Sequence, residues 1–278
     1  MRYANVAGRA SLITSRDEVV DLEQATNGDF TCDPMAVFAR WSDLRTVATR
    51  AVGRKPLDVL QLRSPSPRAA QVFAIGLNYR EHAIETGATI PDTPLTFTKF
   101  SSSINDPNGD IVIDVPTADW EVELVVVVGS GGRNITEADA WSAIAGLCVG
   151  QDVSDRVLQR ATQPPQFSLG KSRRGYSPFG PWLVDAANLP NRDALGLRCT
   201  LNGEVVQDST TQDFIFSIPQ IVSYLSSIVE LFPGDVIYTG TPSGVGAARK
   251  PPRFLNVGDV LVSTVDGVGS ITNHCVGA

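Results

Sequence analysis

Residues 119–129, DWEVELVVVVG, decide how this chain must be read. The segment from Val122 onward is nearly all apolar and reads as a strand entering a core. Side chains alternate along a strand, so Glu121 and Glu123 share one face, while Val122 and Leu124 share the other. Two ionised carboxylates on one face repel, and burying either alone is costly. One resolution is a strand end whose charges sit in water, but the valines that follow argue against it. A divalent cation resolves the conflict differently, because hard cations take carboxylate oxygens. All-oxygen ligation favours Mg2+, Ca2+ or Mn2+ over zinc.

A third ligand is offered by GLCVGQDVSDR (146–156). Asp152 ends a small, apolar run and opens a polar segment, which places an acid at the end of a buried element. Its alternative role is to cap the turn that follows. Asp155 is a weaker candidate, set in more polar sequence.

The surrounding chain narrows the class of protein. Its 278 residues suit one or two domains with a sizeable core. The formal charge is −7 with no Lys/Arg-rich run, which speaks against a nucleic-acid partner. No apolar stretch approaches the ~20 residues that span a bilayer. The first residues lack the apolar core of a signal peptide, so a cytoplasmic protein is expected. Four scattered cysteines form no CxxC pair, which predicts reduced thiols rather than zinc or redox chemistry.

Residues 1–67 read as a small N-terminal domain. RASLITSRDEVVDLEQAT (9–26) looks like a hairpin. DPMAVFARWSDLRTVATRAV (33–52) has helical spacing, with Asp33 and Pro34 as the expected helix start. RSPSPRAA (63–70) reads as a linker, and residues 68–278 as the main domain. There, strand candidates QVFAIGL, LTFTKF, DIVID, VELVVVVG, LRCTLNGEVV, GDVIYTG and DVLVSTVDGVGSITNHCV outnumber helices. Helical patterns are YREHAIETG, ITEADAWSAIAG and SIPQIVSYLSSIVEL. Thr136 and Asp139 resemble a capping box in the second of these. Strands that do not alternate regularly with helices predict an α+β, β-rich mixed sandwich or roll with peripheral helices.

Only two histidines are present. In GLNYREHAIETG (76–87), His82 and Glu85 are three apart on a helix, close enough for the carboxylate to orient the imidazole. Such a base can take a proton from water. An exposed surface pair is the plainer alternative. Gly76 and Gly87 bracket the segment, which would let it move as a lid. His274, in SITNHCV, is expected to be structural.

Taken in order, these pieces resemble the fumarylacetoacetate hydrolase superfamily, from residue 71 to the C-terminus. The family order is a GxNY-xxH-xxE lid, a strand with ExE, an Asp, a GKS segment and a TGTPxGVG loop. Here these read GLNYREHAIE, EVE, GQDVSDR, QFSLGKS and GDVIYTGTPSGVG. The residues before them are similar to the small appended domain of many bacterial members. The resemblance implies a mixed β-sandwich roll, a homodimer, and one Mg2+ or Mn2+ per chain. It places Glu121, Glu123 and Asp152 as metal ligands, and His82 with Glu85 as a water-activating dyad. Lys171 is implied to stabilise developing negative charge, and Thr241 to hold a substrate carboxylate by backbone or hydroxyl. Arg156 and Gln163 or Gln166 align with substrate-contacting positions, and Tyr176 and Lys99 with pocket-lining ones. The implied reaction is C–C bond hydrolysis in a 2,4-dioxo acid of acylpyruvate or fumarylpyruvate type, as in aromatic catabolism. Decarboxylation of an oxaloacetate-like acid and dienoate isomerisation are alternatives on the same site; a metal-stabilised scaffold without turnover is a third. The chain departs from the family after GKS, where Arg173 and Arg174 follow, and in DVSDR. Two added guanidinium groups there favour an anionic substrate tail or face solvent.

Overall fold

The computed structural model describes residues 1–15, 18–51 and 55–278. Its main elements, in chain order, are β1 (Arg2–Val6), β2 (Arg9–Ile13), β3 (Glu18–Asp21), α1 (Trp41–Ala48), β4 (Val72–Gly76), α2 (Arg80–Thr86) and β5 (Leu95–Thr98). They continue with β6 (Ile111–Ile113), β7 (Val122–Val128), β8 (Ile144–Gln151), β9 (Ser177–Val184), β10 (Gly196–Leu201) and β11 (Glu204–Thr210). The last are α3 (Ile218–Ile228), β12 (Val236–Tyr238), β13 (Val260–Val265) and β14 (Gly269–Gly277). The architecture is the expected mixed, sheet-rich one, with few helices and, among the described residues, no closed barrel.

The larger sheet runs β3-β2-β1-β9-β8-β7-β12-β4-β5, with β7 near its middle. Most neighbours are antiparallel, but β12 and β4 are parallel, with Tyr238 opposite Ala74. The smaller sheet runs β11-β10-β13-β14-β6. The N-terminal segment extends the larger sheet, since β1 pairs with β9 through Tyr3 and Leu183. Arg45 on α1 adds an ion pair to Asp185 just past β9, at 2.7 Å.

The valine run is explained by where β7 sits. Leu124, Val126 and Val128 pack into one core with Ile218, Ile221, Val222 and Leu225 of α3. Val125 and Val127 face the opposite core, beside Phe38, Trp41 and Leu44 of the N-terminal segment. With apolar layers on both faces, an alternating sequence would bury polar groups, so the strand is apolar throughout. Each such side chain contributes about 1.5–3 kcal/mol through burial.

Three local expectations change. The helix assigned to 33–52 begins only at Trp41, after a 3-10 turn at Phe38–Arg40. Asp33 instead closes a short turn by accepting from the Met35 N–H at 3.0 Å. In ITEADAWSAIAG the helix is a single turn, Ala140–Ala143, and Ile144 already belongs to β8. Thr136 and Asp139 do bond reciprocally, at 2.7 and 3.2 Å. Strand pairing overrides the helical pattern because Gly146 must lie flat against β9. Strand β9 itself, SPFGPWLV, carries two prolines that hide it from a strand pattern.

A Cβ placed on Gly146 would stand 2.3 Å from the Val184 carbonyl oxygen. Gly146→Ala is therefore expected to push β8 from β9 and cost about 1–3 kcal/mol. The measurement is urea unfolding; an unchanged midpoint would show that this pairing is wrong.

Candidate active site

The site forms where β7 begins and β8 ends. Their register puts Val122 opposite Gln151 and Glu123 opposite Gly150. The Asp152 N–H then donates to the Glu121 carbonyl at 2.9 Å, which carries the third acid beside the first two. Glu121, Glu123 and Asp152 are buried, and a ligand oxygen from each lies within 4.8 Å of the others. Two glutamines fix the backbone there. Gln151 Oε1 accepts from the Glu121 N–H at 2.8 Å, and Gln207 Oε1 from the Val122 N–H at 2.9 Å.

Cations offset this buried charge. Lys171 Nζ lies 2.6 Å from Glu121 Oε2 and 2.7 Å from Asp152 Oδ2. Lys99 Nζ donates to Asp152 Oδ1 and to the Lys171 carbonyl. Arg156 pairs with Glu121 and Asp119, both at 2.7 Å. Burial pushes the Glu121 carboxyl up, but Lys171 and Arg156 overcome it and hold the group at about 2. Glu123 goes the other way. Burial raises it well above the carboxylate range, and the neighbouring Asp152 and Glu121 charges add to the effect. Its single bond, from the Gly240 N–H at 2.8 Å, is not enough to reverse that. Gly240 has φ +100°, and a Cβ there would meet Asn78 at 2.7 Å, so the chain turns here only as glycine.

The imidazole arrives on α2. Asn78 roots this helix: its amide donates to the Thr239 carbonyl at 2.7 Å, and its oxygen accepts from the Phe216 N–H at 2.8 Å. Gly87 ends the helix in the left-handed conformation at φ 66°. His82 is buried, and its Nδ1 is 2.9 Å from Glu85 Oε2. The other carboxylate oxygen, Oε1, accepts from the Gly244 N–H at 2.8 Å. Glu85 thus joins the imidazole to the loop after β12.

A cavity of about 390 Å³ unites these groups. Its walls include His82, Glu85, Glu121, Asp152, Arg156, Lys171 and Thr241 from the sequence reading. Phe97, Phe167, Gln159 and Arg160 also line it, and none was singled out by sequence. Lys99 is completely buried behind Asp152 rather than in the wall. The Thr241 hydroxyl is committed to the Val122 carbonyl and to Gln207, at 3.0 and 2.8 Å, which leaves its backbone as the free donor. Two expected pocket residues lie elsewhere. Tyr176 is wholly buried in the core with Ile111, Trp120 and Leu261, because its ring follows the tight turn at Gly175. Gln163 sits in the exposed stretch 160–166, and Gln166 caps the turn Phe167–Gly170 through Ser168. Asp155 is not beside the acids; it caps Arg156–Gln159 and pairs with Arg173 at 2.9 Å. His274 is on β14, opposite Val260.

Residues 71–276 match the family model for the C-terminal region of fumarylacetoacetate (FAA) hydrolase. A fumarylacetoacetate hydrolase domain-containing protein 2 homolog from Dictyostelium discoideum is 42% identical over 249 residues, covering 84% of this chain and 81% of that protein. The mitochondrial oxaloacetate tautomerase fahd2 of Xenopus laevis is 40% identical, covering 78% of this chain and 69% of its own. A crystal structure from Mycobacterium smegmatis, provisionally assigned as an HpcE protein, superposes with a TM-score of 0.95 at 47% identity, over 100% of both chains. Among the described residues, no helix is long and apolar enough to cross a membrane. The matched span covers well over half of the sequence, and the chain belongs to the fumarylacetoacetate hydrolase family.

Proposed function

We propose that this protein is a divalent-metal-dependent enzyme that interconverts the enol and keto forms of an oxaloacetate-type 2-oxo acid. The observation that carries this reading is one cavity lined by Glu121 and Asp152, two of the three clustered carboxylates, together with a carboxylate-oriented imidazole. The tautomerase named for the Xenopus relative points to the same substrate chemistry.

The residues present fit a hard cation. All three donors are carboxylates, and Glu123 is raised by burial first and then by the Asp152 and Glu121 charges, a penalty that a cation would relieve. Glu121, Glu123 and Asp152 would hold Mg2+ or Mn2+, whose contribution is Lewis-acid polarisation of the 2-oxo group. The chain's own groups do the rest. Glu85 holds the proton on His82 Nδ1, which leaves Nε2 as the base. From the keto form Nε2 takes a proton from C3 and the enolate oxygen left behind takes one from solvent; in the reverse direction the enol O–H gives its proton to solvent while protonated Nε2 delivers one to C3. Lys171 Nζ spends two N–H groups on Glu121 and Asp152 and keeps a third for the substrate oxygen on which charge builds. Phe97 and Phe167, edge to face at 5.5 Å, give the cavity a water-excluding wall.

A second reading rests on the same imidazole. Nε2 is equally suited to take a proton from a water attacking the distal carbonyl of a 2,4-dioxo acid, which is C–C hydrolysis. Products separate the two: tautomerisation loses enol absorbance with no new acid, whereas hydrolysis releases two carboxylic acids. Decarboxylation of oxaloacetate would show as released carbon dioxide.

Two predictions follow from the roles assigned. His82→Gln should slow Mg2+- or Mn2+-supported decay of enol oxaloacetate by about 10²–10⁴-fold, near the uncatalysed rate, as removal of a general base does. Retention of full activity would exclude the imidazole as the proton carrier. For Glu123, a folded-state carboxyl raised above its unfolded value lends stability below the ordinary carboxylate range and loses it as pH rises through the raised value. Chelator-treated wild type should therefore lose thermal stability as pH rises above the ordinary carboxylate range. Glu123→Gln, which never ionises, should lose less over that rise, and Mn2+ should raise the melting temperature of the wild type only. Equal Mn2+ protection of both proteins would remove Glu123 from the ligand set.

A further inference from the structure

We infer that Arg160 is the specificity-determining residue of the cavity, selecting substrates that carry a second carboxylate. The inference rests on the 2-oxo acid reading for the end of the substrate at the acid cluster, and it assigns the other end.

The guanidinium groups expected from sequence to meet an anionic tail do not meet it. Arg173 is paired with Asp155 and Asp114, each at 2.9 Å. Neither Arg173 nor Arg174 is among the cavity walls. The positive end comes instead from one short turn, Arg156–Gln159, and the residue after it.

That turn carries hydrogen-bond donors outward from the acids. Arg156 spends Nη1 on Glu121 and Gln159 Oε1, and Nε on Asp119. Its Nη2 is buried and makes no hydrogen bond. Gln159 is 7% exposed, and with its oxygen taken by Arg156 its free polar group is the amide N–H2. Arg160 comes next. Among the described residues it is the only arginine lining the cavity whose side chain has no ion pair or hydrogen bond. Elsewhere in the molecule the common fate of arginine is pairing with a carboxylate, as in Arg9, Arg40, Arg45, Arg68, Arg198 and Arg253. An unpartnered planar fork at the wall of a cavity, beside a buried unpaired Nη2 and a free amide, fits a carboxylate. Among the described residues no acid fills that role, so the substrate supplies it. A 2-oxo acid with its keto-acid end at Glu121, Glu123 and Asp152 meets this turn with its far end. A charged terminus there is neutralised, whereas an alkyl terminus gives the exposed Arg160 no counter-charge and leaves the buried Arg156 Nη2 without an acceptor.

Binding of two unreactive ligands to the full-length, Mn2+-saturated protein tests this by calorimetry. N-oxalylglycine carries the oxo-acid end and a second carboxylate; N-ethyloxamate has the same end and no second charge. Wild type should bind the diacid about five- to tenfold more tightly, the range for a partly exposed charge-assisted contact. Arg160→Gln should bring the two ligands to within about twofold, by weakening the diacid, and Arg160→Lys should keep most of the preference. A preference that survives in Arg160→Gln, the absence of any preference in wild type, or failure of both ligands to bind would each overturn the inference. Decay of enol oxaloacetate is followed on the same preparations. Arg160-dependent preference without turnover would sink the tautomerase reading and leave the arginine assignment standing; turnover without that preference would do the reverse.

Discussion

Three carboxylates inside a protein are the constraint around which this fold is arranged. Coulomb repulsion among Glu121, Glu123 and Asp152 is stronger in a buried site than in water, and each group also loses its hydration. The chain answers with Lys171, Lys99 and Arg156, all nine-tenths or more buried at the side chain and all bonded to those acids. The balance is uneven. Glu121 receives two cations, while Glu123 receives a single backbone N–H and is the acid whose carboxyl is pushed up. That unevenness gives the site its appetite for positive charge.

The sheet makes such a cluster possible by supplying its rigidity at little local cost. Apolar layers on both faces of β7 hold its position, and the antiparallel register of β7 and β8 sets the spacing of the acids. Side chains far away in sequence then complete the frame. Gln207 from the neighbouring sheet, and Gln151 from the end of β8, itself bonded to Ser263 of that sheet, grip the backbone at the start of β7. Asp119 accepts from Arg156 and from the Gly246 and Ala247 N–H groups, so the turn bearing Arg156 and the loop after β12 share one anchor. Asn78 ties α2 to that same loop region. Segments distant in sequence are here bolted to each other through single polar side chains.

Much of this was legible in the sequence, and what was not has physical reasons. The acids, the imidazole and its partner are short-range patterns, fixed by the strand and helix periods. The family order of motifs extended them to Lys171 and Thr241. What escaped is set by tertiary pairing. Strand β8 is a run of small residues following a helical pattern, and its strand character comes from lying between β7 and β9. Strand β9 carries prolines that no local rule places in the middle of a sheet. Tyr176 sits close in sequence to Lys171 yet points into another core, because Gly175 turns the chain between them. Gln159 and Arg160 stand in an ordinary polar stretch, and only the cavity distinguishes them from Gln163. Arg173 looked available because its partners Asp155 and Asp114 come from two different segments.

The two bonds made by Glu85 have a further consequence. His82 and Glu85 ride on the same helix, so the base and its orienting carboxylate travel together whatever that helix does. At its start the helix is fastened by Asn78, by Arg80 donating to the Phe214 carbonyl, and by Tyr79 packed edge-on against Phe214. At its far end the dyad's link to the rest of the molecule is the Gly244 N–H. A charge-assisted bond of this kind is worth about 1.5–3 kcal/mol. Among the described residues the segment has a firm root and a clasp at Gly244. The bond that fastens its tip and the bond that pairs imidazole with carboxylate are made by different oxygens of Glu85, so breaking the first leaves the second whole.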